Sequence, residues 1–193
     1  MTTRELESDT FLSSDALSDE FFIETIENKL KIARDKFKLR FAIISPAAGK
    51  NENFVCVVYR AKVKIILLET NENVSVDIII KALLSTMKEM KEFGVFPRER
   101  FMYENILRSF EDIWCERTGS EIQFGPKSLN FATDPYEIIA MEDLKAMNYE
   151  MLDRKVGADL AQVKVLFSKL AKFHATSAIR YRKVGGLKLH AHL

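Results

Sequence analysis

Three runs of β-branched and aromatic residues follow one another between Leu39 and Leu84, and no other feature restricts the fold of this chain so much. They read LRFAIIS, NFVCVVYRAKVKIILLE and VSVDIIIKALL. Only PAAGKNE and TNEN separate them, and these links hold the Pro, Gly and Asn that tight turns require. The segment reads as three antiparallel strands, the centre of an α/β fold.

Helical periods flank the strands. From Phe21 to Phe37 the apolar positions Phe22, Ile26, Leu30, Ala33 and Phe37 recur every three or four residues, with Ser18 or Asp19 placed as a cap. TMKEMKEFG and FPRERFMYENILRSFEDIW also have helical spacing, with Pro97 suited to a first turn and Phe101, Ile106, Phe110 and Trp114 available to pack. Two shorter β candidates follow, EIQFGPKSLNFA and YEIIAMED. The helix ADLAQVKVLFSKLAKFHATSAI then sets Leu160, Val163, Phe167, Leu170 and His174 along one side. His174 on that side is expected to be a hydrogen-bonded core residue, not a catalytic one. Residues 1–20, with six acids and one arginine, read as a flexible acidic tail.

Composition sets outer limits. At 193 residues, 47% hydrophobic and 30% charged, the chain has the material for one real core. Its 29 basic and 28 acidic residues leave a net charge of +1, which argues against nucleic acid or an anionic membrane as partner. MTTRELESDT is acidic where a signal peptide begins basic, and no apolar stretch approaches the ~20 residues that span a bilayer. A cytoplasmic chain is expected, with Cys56 and Cys115 as structural thiols. His190 and His192 have no third metal ligand close by in sequence.

Four segments suggest chemistry, each beside a plainer reading. Lys81 ends an apolar strand with a charge on a flexible stem, and Glu99 sits on the following helix. Spacing alone favours a solvated lysine and a wet helix face. The loop from Gly49 to Asn53 offers backbone N–H groups to an anion, or is an ordinary hairpin turn. The run through Ile139 and Met141 into Glu142, Asp143 and Leu144 suits either a ligand-lining strand or an edge strand ended by charges. The helix at 158–179 carries a stripe that stays sticky unless covered, so self-association or capture of another chain is expected through it.

Five motifs in one order resemble the ecdysteroid kinase-like family of insects, relatives of choline and aminoglycoside kinases with a protein-kinase-like fold. They are GKNENFVCVVYRAKV, IIIKALL, FPRERFMYENIL, IAMEDL and LAKFHATSA. The resemblance implies a small lobe over 21–145, with an antiparallel sheet of about five strands and a packed helix. It further implies a hinge near 142–146, the start of a helical large lobe at 146–180, and a basic tail at 181–193. It also implies ATP as cofactor, with Gly49, Asn53, Lys81 and Glu99 at the phosphates and the backbone of Glu142, Asp143 and Leu144 at the base, the two acids staying at the solvent rim. The implied acceptor is a hydroxyl on a small apolar molecule such as an ecdysteroid. Such kinases also need a His-x-Asp segment and a later Asp for Mg²⁺. Neither occurs after Asp159, so the large lobe is expected to be missing, ATP binding weak and turnover absent. The alternative is a catalytically silent nucleotide-binding or interaction module.

Overall fold

The first helix, α1 (Asp19–Leu30), opens on the side-chain oxygen of Ser18, which accepts the Phe21 N–H at 3.2 Å, and Asp19 and Glu20 complement the positive end of its first turn. The structure, a computed structural model, describes residues 17–47, 56–83, 93–134, 136–153 and 155–184. The helix stops earlier than the apolar spacing predicts. Lys31 takes the left-handed conformation, φ 57°, and its N–H closes onto the Glu27 carbonyl. Ala33 is extended, Arg34–Lys36 make one 3₁₀ turn, and Phe37 is a buried strand residue. Arg34 ties this exit back to α1, its guanidinium 2.8 Å from Glu20 and 2.9 Å from Glu27.

Five strands form one sheet: β1 (Phe37–Pro46), β2 (Cys56–Leu67), β3 (Asn73–Leu83), β4 (Ser128–Ala132) and β5 (Ile138–Glu142), in the order β1-β2-β3-β5-β4 and antiparallel throughout. The expected five-stranded sheet is therefore present. Alternation sorts its two faces. Tyr59, Ala61, Val63 and Ile65 of β2 and Val76, Ile78, Ile80 and Ala82 of β3 are buried with Phe21, Phe22 and Ile26 of α1. Ile26, Ile65, Ile78 and Ile80 are fully enclosed, and each such side chain contributes about 1.5–3 kcal/mol. Thr25 is enclosed with them because its hydroxyl donates to the Phe21 carbonyl at 2.6 Å.

A second helical stretch begins after Gly94, itself left-handed at φ 61°. It runs as α2 (Val95–Phe101), a π-helical segment (Met102–Leu107) and α3 (Arg108–Thr118), ending at the left-handed Gly119. Pro97 falls in its first turn, where a missing N–H costs nothing. The last helix, α4 (Leu160–Val184), docks on α3 through three rings set edge to face. Phe173 lies 5.0 Å from Phe110 and 5.5 Å from Phe124. This is not the face that the apolar spacing singles out. Leu160, Phe167 and Leu170 are 70%, 61% and 42% exposed, while Thr176 is buried. His174 is exposed as well, next to the ring of Phe173, and so is not the core histidine expected. The helical reading of TMKEMKEFG falls outside the described residues except for Phe93 and Gly94, which form a turn, as do nearly all of the acidic tail and most of the basic one.

Candidate functional site

The sheet face opposite α1 carries the residues with chemistry. Strand alternation places Val58 and Arg60 of β2, Ile79 and Lys81 of β3, and Ile139 and Met141 of β5 on it. Its inner part is closed by Leu83, Ile139 and Met141 against Phe96 of α2, with Cys56, Ile79 and Tyr103 packed alongside. Outward it opens, and Phe41 and Ile43 of β1 are exposed.

The structure brings Lys81 and Glu99 together. The ammonium lies 2.7 and 2.6 Å from the two carboxylate oxygens, with both side chains about three-quarters covered, and 5.6 Å above the Phe96 ring. An ammonium has three donors, so a third N–H is left for a further oxygen. The surroundings suit a charge pair more than a nucleophile. Burial pushes the Cys56 thiol up, partly countered by Lys81, and keeps it protonated; burial, with the charge of Glu99, pushes the Tyr103 hydroxyl up too.

At the end of β5 the two acids differ: Glu142 is half-buried, whereas Asp143 does not sit at a solvent rim. Glu142 accepts from Gln123 at 2.8 Å and from the Lys127 N–H at 2.9 Å, while its own N–H goes to the Lys127 carbonyl. Asp143 is only 2% exposed. Its carboxylate takes a forked contact from Arg60, Nε to Oδ2 and Nη2 to Oδ1, and accepts the Lys145 N–H at 3.0 Å. Burial works against that charge, but the Arg60 guanidinium and the amides of Lys145 and Ala146 outweigh it and hold the carboxyl below its ordinary range. The same pairing raises Arg60. A rim position fails because a carboxylate beside an arginine on the neighbouring part of the sheet gains more from the pair than from water. Leu144 turns the chain, its carbonyl accepting from Met147 and Tyr149 at 3.0 Å.

Gly49 and Asn53 lie outside the described residues. Among the described residues, no three His, Cys, Asp or Glu side chains converge as a metal requires. No helix is long and apolar enough to cross a membrane. Arg60 was not singled out above. Part of the signal was available: it sits next to Tyr59 and Ala61, so alternation puts it on the face opposite theirs, and the register of Arg60 with Ile79 makes that the face of Lys81.

Comparison with known proteins gives one match. The model of the ecdysteroid kinase-like family fits residues 50–188. No curated protein and no solved structure matches the chain.

Proposed function

The chain belongs to the ecdysteroid kinase-like family, whose members are kinase-like phosphotransferases, and from that premise we propose that residues 21–145 are its nucleotide-binding lobe. The observation that carries the proposal is the Lys81–Glu99 pair, about three-quarters covered and on the sheet face opposite α1. Glu99 holds the ammonium in one place, and its remaining N–H meets a phosphate oxygen of ATP without prior rearrangement. Val58 and Ile79, both half-buried, give the base an apolar floor, and the main chain from Glu142 to Leu144 gives its edge hydrogen-bonding groups. The sheet thus fits ATP, whereas Mg²⁺ finds no ligand set among the described residues.

ATP supplies a transferable phosphoryl group, and the acceptor is a hydroxyl on a small apolar molecule of the ecdysteroid kind. These 193 residues by themselves bind the nucleotide without turning it over, on this proposal. The 193 residues hold no His-x-Asp pair to orient an acceptor, and one missing preorganised element of that sort costs on the order of a hundredfold or more in rate. Binding is weak because a single wall leaves much of the ligand wet, and nearly indifferent to Mg²⁺ because the described residues hold no ligand set for it. The setting is cytoplasmic, with residues 146–180 as the start of a helical second lobe.

Titration calorimetry with ATP tests this. The unaltered chain gives a weak saturable isotherm, Lys81→Met weakens it at least about tenfold, and Glu99→Gln weakens it less. Equal affinity in Lys81→Met, or no binding by the unaltered chain, sinks the reading. A second reading, an interaction module, has its own observation in the exposed Leu160, Phe167 and Leu170 of α4. It requires concentration-dependent self-association in sedimentation that Phe167→Glu abolishes; a strictly monomeric unaltered chain excludes it.

A further inference from the structure

The ion pair of Arg60 and Asp143 has no task in that reading, yet it shares the sheet face of Lys81. Arg60 lies opposite Ile79, and Ile79 lies opposite Met141. Asp143 follows Met141 by two residues, so the pair reaches from β2 to the end of β5 across Ile79. Ile79 in turn precedes Lys81 by two residues, roughly 6.6 Å along an antiparallel strand. A ribose bridges a similar gap between a base and its first phosphate.

The pair also fixes how Arg60 is presented. Asp143 is nearly enclosed and takes two nitrogens of the guanidinium fork, so that edge of the fork is committed to a carboxylate and is poorly placed for a phosphate. Nη1 and the faces of the guanidinium are not engaged by Asp143, and 30% of the side chain is open to solvent. A planar cation held edge-on stacks on aromatic rings, the more so as the ring area grows. A hydrophobic roof of equal reach would need no buried acid beneath it. A lone arginine would swing into solvent.

We infer that Arg60, oriented by Asp143, lies over the base of a bound nucleoside triphosphate and gives the site its preference for purines. The inference rests on the nucleotide reading of the Lys81 face. Arg60 touches the ligand; Asp143 acts through it as a positioning residue.

The test compares ATP, CTP and inorganic tripolyphosphate as ligands of the unaltered chain and of Arg60→Leu, Arg60→Lys, Asp143→Asn and Lys81→Met. The unaltered chain prefers ATP to CTP and to tripolyphosphate. Arg60→Leu loses about tenfold or more for ATP, its ATP-to-CTP ratio falls toward one, and tripolyphosphate is held within about twofold. Arg60→Lys keeps the charge and packing needed to fold but lacks the planar fork, and behaves likewise. Asp143→Asn falls between, and Lys81→Met loses ATP and tripolyphosphate alike. An unchanged ATP-to-CTP ratio in both Arg60 variants overturns the inference, as does a parallel loss of tripolyphosphate. An unaltered chain that binds tripolyphosphate as well as ATP overturns it while sparing Lys81, and one that binds neither overturns both.

Discussion

Replacing Phe173 by Ala asks whether α4 is held to the rest of the molecule by one cluster of rings. Phe173 meets Phe110 at 5.0 Å and 78° and Phe124 at 5.5 Å and 83°, and those two rings stand 6.4 Å apart at 89°. Two edge-to-face contacts contribute about 0.5–1.5 kcal/mol each. The apolar area lost from a partly buried ring adds roughly 1–2 kcal/mol, less than the full burial value. The other ties are lesser ones. Lys172 sits 5.2 Å over the Trp114 ring, and Lys183 pairs with Glu116 at 3.0 Å with both side chains about half exposed, where such a pair contributes under about 1 kcal/mol. Phe173→Ala should therefore weaken docking by about 3 kcal/mol, or roughly a hundredfold in the opening equilibrium. Hydrogen exchange reads this directly: amides of α4 lose about two decades of protection, while those of β2 and β3 keep theirs. Phe173→Leu, which restores area but not ring geometry, should recover about half. Unchanged exchange in α4 would refute the reasoning, and so would equal losses in the sheet, which would make helix and sheet one cooperative unit.

Three further outcomes follow from the packing and the charges. Ile80→Ala, at a fully enclosed position, should lower the unfolding free energy by about 2–5 kcal/mol in a urea titration, whereas Ile43→Ala, more than half exposed, should stay within about 0.5 kcal/mol. Ser18→Ala removes the acceptor of the Phe21 N–H and should cost about 1 kcal/mol, seen as a lower melting temperature with α1 fraying first by hydrogen exchange. Asp143 sets a pH dependence: its folded carboxyl is depressed below the ordinary 3.8, so its contribution is complete above that value and is lost as pH falls through the folded one. Stability measured below about pH 4 should thus decline more steeply in the unaltered chain than in Asp143→Asn.

What could be read from the sequence divides by the range of the interaction that decides it. The β1 to β3 segment was legible because strand alternation and turn chemistry are local, and Phe37 to Leu83 supplies both. The end of α1 was not. Ala33 and Phe37 continue the helical spacing, but the stop is a left-handed Lys31, a residue with no stop signature, helped by an arginine bridging Glu20 and Glu27. For α4 the element was legible and its packed face was not. The larger apolar stripe runs through Leu160 and Phe167, and the docking face is chosen by Phe110 and Phe124, which lie far off in sequence.

The acids ending β5 show the same division at the site. Read within their own segment, two carboxylates after an apolar run belong in water, because an unpaired buried charge is costly. The partner that changes the sign of that argument for Asp143 stands 83 residues earlier. Register is what connects them. In the β2–β3 pairing, Val58 lies against Lys81 and Arg60 against Ile79, and β5 continues the rows with Ile139 and Met141. Once one pair in each ladder is known, such as Cys56 with Leu83 and Ile79 with Met141, strand alternation fixes which side chains share a face across all three strands. Lys81 was found from its motif, but its neighbours come only from register. A burial judgement on any strand-end carboxylate in such a sheet therefore has to be made along the row, across the hydrogen bonds, and not along the chain.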